Sequence, residues 1–108
     1  MIFVVGGLGA GKRAFLEQQF GYLPEQMSNR PENKTPVLYG LEDLDPLPPL
    51  EDLLRREVVV CREVGCGVIP MDRADRDRRE AVGRLCCALA EQAQAVYRVT
   101  CGIPMRLK

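Results

Sequence analysis

The stretch IFVVGGLGAGKRAFLEQQF, residues 2–20, decides the fold. Residues 2–5 form a short continuous apolar run that is typical of a buried strand. Residues 12–20 place apolar side chains near the start of a predicted helix and one turn later, and Gly21 predicts its end. A glycine-rich connection joins the two, so the stretch predicts a strand, a tight loop and a helix in immediate succession.

The connection fits the phosphate-binding pattern G-x-x-x-x-G-K-[ST] in all but its last position. Glycines allow the backbone to curl so that its N–H groups face phosphate oxygens, and the helix behind adds partial positive charge. A lysine at the end of the loop reaches the β- and γ-phosphates. A glycine-rich turn without any ligand is the competing interpretation. The candidate nucleotide-binding residues are Gly6, Gly7, Leu8, Gly9, Ala10, Gly11, Lys12 and Arg13.

Arg13 occupies the position where the pattern has a hydroxyl residue that binds Mg²⁺. A guanidinium carries only donors and cannot ligate a cation. It can instead contact phosphate and supply part of the metal's charge, or it can point to solvent. The sequence therefore predicts GTP or ATP as the ligand, and it disfavours Mg²⁺ without excluding it. No metal-ligating residue is assigned.

Composition limits the class of protein. The 108 residues suffice for one domain, 1–108, with 15 Lys+Arg against 15 Asp+Glu. A zero net charge gives no reason to expect nucleic acid or a membrane surface as a partner. No apolar run approaches the roughly 20 residues of a membrane span, and the apolar start lacks a preceding charge. We therefore expect a cytoplasmic protein.

The chain has five cysteines and no histidine. The cysteines show no C-x-x-C spacing, and their number is odd, so we expect free, buried thiols rather than disulfides or a zinc site. Without histidine, the commonest general base is missing, and so is the usual nucleophile that takes up a nucleotidyl group.

Further strands are predicted at 37–41, 57–61 and 95–101, with a short helix after Pro48-Pro49 and a long helix over 73–94. The apolar face of the long helix is formed by Ala81, Val82, Leu85, Cys86, Leu89, Ala90 and Ala93. Residues 21–36 carry three prolines and no periodicity, so we expect a partly mobile loop. The alternating order of these strands and helices is typical of an α/β protein and predicts a P-loop-type three-layer fold with a small, mostly parallel sheet of about four strands.

Two later stretches carry a family resemblance. They are REVGCGVIP, residues 62–70, and AVGRLCCALAEQAQAVYRVTCGIPMRLK, residues 81–108. With the glycine loop they resemble the bifunctional adenosylcobinamide kinase / adenosylcobinamide-phosphate guanylyltransferase of cobalamin biosynthesis. That family shows G-G-x-x-S-G-K-S, then N-E-V-G-x-G-I-V-P, then G-R-x-N-Q and a closing V-x-G-[IL]-P-x-x-[IL]-K. The resemblance covers residues 1–20 and 57–108 well and the middle poorly.

The resemblance implies roles for particular residues. Glu63, Val64, Gly65, Gly67 and Pro70 match the E-V-G-x-G-x-x-P segment, and Gly83 with Arg84 match the G-R of the helix. Lys12 and Glu63 are then the candidate catalytic residues, and Arg84 is a candidate nucleotide contact. A backbone-capping carboxylate is the alternative for Glu63, and a surface ion pair is the alternative for Arg84. The resemblance also brings in cobinamide, a corrinoid, as a candidate partner and a homo-oligomer as a candidate assembly.

Several family groups are absent from this sequence. The histidine that takes up GMP is missing, which excludes guanylyl transfer of that kind. The aspartate expected after the second strand is missing, with Glu42 and Asp43 lying two or three residues further on, and Arg62 replaces the family's asparagine. Two functions remain open: a nucleotide-binding, kinase-type protein, and a non-catalytic relative that serves as a binding, regulatory or self-associating module.

Overall fold

The computed structural model describes residues 1–63 and 72–108. Val64, Gly65, Gly67 and Pro70 of the family-like segment therefore lie outside the described residues, as does Cys66. The described part contains six strands, three α-helices and two short 3₁₀ turns. They follow the order β1 (Ile2–Gly6), α1 (Lys12–Phe20), a 3₁₀ turn (Pro24–Gln26), β2 (Met27–Ser28), β3 (Val37–Leu38), a second 3₁₀ turn (Leu41–Asp43), α2 (Leu50–Leu54), β4 (Val58–Arg62), α3 (Arg73–Gln92), β5 (Ala95–Thr100) and β6 (Ile103–Arg106).

The strands form one sheet in the order β2-β3-β4-β1-β5-β6. Strand β1 lies in its middle and pairs in parallel with both neighbours, since Ile2 is opposite Val58 on one side and Ala95 on the other. Only β6 runs antiparallel, against β5. Parallel neighbours require crossover connections, which the helices between the strands provide. The predicted α/β class with a mostly parallel sheet is confirmed.

Two apolar layers cover the faces of this sheet. Alternate residues of β1 point to opposite sides, so Phe3 packs toward α2 and α3 while Val4 packs toward α1. On the first side Val82 and Leu89 of α3 are buried, which confirms the centre of the predicted apolar face. On the second side Phe15 and Leu16 of α1 are buried, as expected for the predicted three-layer fold. The chain is therefore a helix–sheet–helix sandwich.

The sheet has two strands more than predicted. Strand β2 lies inside the expected loop 21–36, where Ser28 is buried and pairs opposite Leu38. The rest of that segment is held by Arg56, whose guanidinium donates to the carbonyls of Pro31, Asn33 and Thr35 at 2.7–2.8 Å. A two-residue strand between prolines leaves no period to detect, and the side chain that fixes the loop comes from a distant part of the chain.

Strand β6 follows a two-residue turn at Cys101 and Gly102. Both residues have positive φ, 50° and 75°, as a type I′ hairpin turn requires. Asn or Asp usually precedes the glycine in such a turn, so Cys-Gly gave little signal. The long helix and the first helix agree closely with prediction. Among the described residues, no helix combines the length and the apolar content needed to cross a bilayer.

Candidate functional site

The turn between β1 and α1 forms a loop with free backbone donors. Gly9 and Gly11 have positive φ, 70° and 91°, which side chains with a Cβ rarely adopt. Within the described residues of α1, no acidic group occupies the first turn and no side chain caps the helix. The first N–H groups of the helix are thus available to an external acceptor, and the helix dipole favours an anion there.

Lys12 lies at the mouth of this loop. Its Nζ donates to the carbonyl of Gly6 at 3.0 Å and to the carbonyl of Gly7 at 2.7 Å. Partial burial lowers the pKa of Lys12 below its usual 10.5, although the nearby carboxylate of Glu42 opposes this shift. Burial penalises a charge that only carbonyl oxygens accompany. The ammonium is therefore held in the loop with neutral partners and would gain from an anionic one.

The loop is fastened to the β5–β6 turn. The N–H of Gly102 donates to the carbonyl of Ala10 at 2.8 Å, and a Cβ at Gly11 would touch Gly102 Cα at 3.4 Å. At the end of β1, a Cβ at Gly6 would approach the Val99 carbonyl oxygen to 2.5 Å. Glycine at position 6 is thus required by close packing between two strands, whereas Gly7 has open space around it.

A cavity of about 670 Å³ opens beside the loop. It lies where the carboxyl ends of β1, β3 and β4 meet, the usual ligand position in an open parallel sheet. Its lining includes three cationic residues, Lys12, Arg13 and Arg62, and two carboxylates, Glu42 and Asp43. The predicted loop residues in the lining are Leu8, Gly9, Ala10, Gly11, Lys12 and Arg13. Gly6 and Gly7 lie behind it, where they hold Lys12.

Arg13 is exposed, but its side chain contacts an aromatic ring. Its guanidinium carbon lies 4.9 Å from the centroid of the Tyr39 ring, within the range of a cation–π contact. Tyr39 comes directly after β3, and its N–H donates to the carbonyl of Ser28 at 2.9 Å. Both side chains line the cavity. The arginine that replaces the expected hydroxyl residue therefore has a defined place at the cavity wall.

The backbone of Glu63 contacts the start of the glycine loop, whereas its carboxylate is engaged elsewhere. Its N–H donates to the carbonyl of Gly6 at 2.9 Å. Its carboxylate forms an ion pair with Arg98 on β5, at 3.1 Å, and is absent from the cavity lining. Arg84 is exposed on α3 and pairs with Glu80 at 3.7 Å, so it does not contact the cavity either.

Glu42 is the residue that sequence reasoning named without assigning a role. Its Oε1 accepts the N–H of Arg62 at 2.7 Å, which links the turn after β3 to the end of β4. It is half-buried in the cavity wall and influences Lys12 electrostatically. The glycine at position 40, with φ 74°, starts the 3₁₀ turn that brings Glu42 back to the strand end. In the sequence, the glycine two residues before Glu42 was the signal that could have indicated this turn.

The cysteines differ in environment. Cys61 is buried on β4, Cys86 is half-buried on α3, and Cys87 and Cys101 are exposed, so the prediction of buried thiols is wrong for the last two. The sulfurs of Cys61 and Cys86 lie 3.6 Å apart and share a hydrogen bond, which together with burial raises the pKa of the Cys61 thiol. Among the described residues, no group of three Cys, Asp or Glu side chains is placed to hold a metal ion.

A second cavity, of about 440 Å³, lies at the amino ends of β3 and β4. Lys34, Arg55 and Arg56 contribute positive charge to its lining. The Arg56 guanidinium is already engaged by three carbonyls, however, and no glycine loop or helix of eight or more residues begins among the residues that line it.

The order of strands, the glycine loop and the retained lysine define an α/β protein with a phosphate-loop-like site. A family model for cobinamide kinase / cobinamide phosphate guanyltransferase matches residues 47–107, which is more than half of the chain. The chain therefore belongs to this family. The match spans β4, α3 and β5 and reaches beyond β6, but it begins after the glycine loop. Comparison with curated proteins gives no match.

Membership gives the coarse description of the protein. The activities in the family description are of kinase and transferase type and act on cobinamide, a corrinoid, or its phosphate.

Proposed function

We propose that the chain binds the phosphates of a nucleoside triphosphate, GTP or ATP, in the cavity beside the glycine loop, as a kinase-type member of its family. The observation that carries the proposal is the position of Lys12. Its ammonium is held at the loop by the Gly6 and Gly7 carbonyls, beside helix N–H groups that no described side chain caps. The hydrogen-bond acceptors of the Lys12 ammonium are neutral carbonyls, with the Glu42 carboxylate nearby, and a phosphate group would supply an anionic acceptor.

The phosphate transfer that this proposal allows uses Lys12 to stabilise negative charge on the transferring group. The proposed acceptor is the side-chain hydroxyl of cobinamide. Glu63 is the proposed group that orients this hydroxyl. Because its carboxylate is paired with Arg98, it must leave that partner to reach the cavity. Arg84 remains a predicted nucleotide contact on the basis of its family motif alone.

A non-catalytic relative is the second candidate, and Arg13 is the observation that favours it. A guanidinium replaces the metal-binding hydroxyl, and Glu42, the first carboxylate in the chain after β3, already accepts the Arg62 N–H. Such a site can bind nucleotide and still transfer phosphate slowly or not at all. The whole chain also lacks histidine, so we propose no guanylyl transfer through a covalent histidine intermediate.

Calorimetric titration with GTP and with ATP tests the binding proposal. We expect one site, and we expect Lys12→Ala to weaken it by roughly 10- to 100-fold, the value of one lost charge-assisted hydrogen bond. Lys34→Ala is the matched control, because Lys34 is an exposed lysine on the second cavity. Equal affinity of the wild type and Lys12→Ala, or no binding of either nucleotide, would contradict the proposal.

A phosphate-transfer assay separates the two candidates once binding is established. Wild-type protein is incubated with adenosylcobinamide and γ-labelled nucleotide, and labelled product is separated from nucleotide. Product formation that Lys12→Ala abolishes and Glu63→Gln reduces supports the kinase-type protein. Binding without product, at protein concentrations equal to substrate, supports the non-catalytic relative.

A further inference from the structure

The chemistry of the cavity wall disagrees with the divalent cation that phosphate loops of this pattern usually use. The residue after Lys12 normally offers a hydroxyl oxygen to Mg²⁺, and here Arg13 offers only N–H donors. Glu42 and Asp43 are the carboxylates among the described lining residues, and Oε1 of Glu42 is already engaged by the Arg62 N–H at 2.7 Å. No cluster of three acidic or thiol ligands is found among residues 1–63 and 72–108. The loop therefore lacks the hydroxyl ligand that Mg²⁺ has in this pattern and carries a cation in its place, which disfavours magnesium at this position.

The same wall fits an uncomplexed polyphosphate. The cavity lining includes the cations Lys12, Arg13 and Arg62 against two carboxylates, so positive charge is in excess beside the loop. Arginine presents a planar fork of donors that matches phosphate oxygens, and it does so without a metal ion between them. A divalent cation placed next to Arg13 would instead meet a like charge at short distance, which is unfavourable.

Tyr39 gives Arg13 a fixed position. The ring centroid lies 4.9 Å from the guanidinium carbon, and the Tyr39 backbone is held by the hydrogen bond that its N–H donates to the Ser28 carbonyl. A stacked guanidinium keeps its in-plane N–H donors free, because the contact uses only its face. Holding a long side chain in advance also reduces the ordering that ligand binding must otherwise impose.

We propose that this site takes the nucleoside triphosphate free of Mg²⁺, with Arg13, held by Tyr39, contacting the phosphates in the metal's place. The inference rests on the proposed nucleotide-binding function and specifies the charge state of its ligand. Arg13 is thereby a specificity-determining residue: it selects the metal-free nucleotide over the magnesium complex.

The test compares the metal-free nucleotide with its magnesium complex, and it compares the wild type with variants at Arg13. Calorimetric titrations with GTP and ATP are run in EDTA and again in excess Mg²⁺, for the wild type, Arg13→Ser and Arg13→Gln. We expect the wild type to bind the metal-free nucleotide more tightly. Arg13→Ser restores the pattern's hydroxyl, and we expect it to lose about tenfold affinity for the metal-free form, one charge-assisted hydrogen bond, and to prefer the magnesium complex.

The control variants separate charge from position. Arg13→Gln keeps a long polar side chain without the charge and is expected to lose affinity for metal-free nucleotide without gaining magnesium dependence. Tyr39→Leu keeps Arg13 but removes the ring and is expected to weaken metal-free binding only severalfold. Arg13 is exposed, and circular dichroism spectra show whether each variant keeps the wild-type fold.

The outcomes distinguish failure of the inference from failure of the proposed function. Wild-type binding that Mg²⁺ strengthens, or equal affinities of the wild type and Arg13→Ser for metal-free nucleotide, overturns the inference and leaves nucleotide binding intact. Absence of binding in both buffers overturns the proposed function and the inference together.

Discussion

Replacing Gly6 with alanine tests whether the loop is positioned by close packing between β1 and β5. The added Cβ would lie 2.5 Å from the Val99 carbonyl oxygen, whereas carbon–oxygen contacts in proteins are usually at about 3.3–3.6 Å. The strands must separate by roughly 1 Å at this point, and Val99 O belongs to the backbone and cannot rotate away. Overpacking of this kind usually costs about 1–3 kcal/mol.

The assay is thermal unfolding followed by circular dichroism. For a domain of this size each kcal/mol lowers the melting temperature by about 4–8 °C, so Gly6→Ala should melt clearly earlier than the wild type. Gly7→Ala is the matched control, because no atom lies within 4 Å of its Cβ and its φ is not positive. We expect Gly7→Ala to melt within a few degrees of the wild type. Equal melting temperatures for the two variants would refute the packing account of the loop.

Three further predictions concern charge and reactivity. The first is that ATP affinity should fall as the pH rises through the pKa of Lys12, which lies below its usual 10.5, because phosphate binding needs the protonated amine. Calorimetric titration of Lys12→Met at the same pH values should show no such fall. Brief treatment with iodoacetamide should alkylate Cys101 in the folded protein and leave Cys61 unmodified until unfolding, because Cys61 is buried and its pKa is raised; mass spectrometry that finds both sites labelled equally would contradict this. Arg98→Gln should lower the free energy of unfolding by less than about 1 kcal/mol, since the pair with Glu63 is partly exposed, and a larger loss in urea unfolding would mean that the pair matters more than its exposure implies.

The central part of the fold followed from local signals. Residues 2–20 contain an uninterrupted apolar strand, a glycine turn and a helix ended by Gly21, and the structure shows β1 and α1 there. The long helix was equally readable because its apolar positions recur at helical spacing over several turns. Buried parallel strands and amphipathic helices can be predicted from sequence when each is long enough to show its apolar pattern.

The missed parts depend on partners far away in the chain. Strand β2 has only two residues and is defined by its pairing with the two-residue strand β3, and the segment that follows it is held by Arg56 from a distant part of the chain. The role of Glu42 depends on the turn at Gly40 and on an N–H from β4, neither of which a linear pattern encodes. The loop motif identified the candidate site, whereas the cavity wall opposite it became visible only in three dimensions.

The place of the ligand is the claim on which the account depends most. Heteronuclear NMR of ¹⁵N-labelled protein, titrated with GTP and with ATP, reports it directly through the backbone amides. Binding beside the glycine loop predicts that the largest chemical-shift changes occur at the amides of Gly7, Gly9, Gly11 and Lys12, with little change at Lys34 on the second cavity. Changes centred on Lys34 and its neighbours, or no changes with either nucleotide, would contradict it.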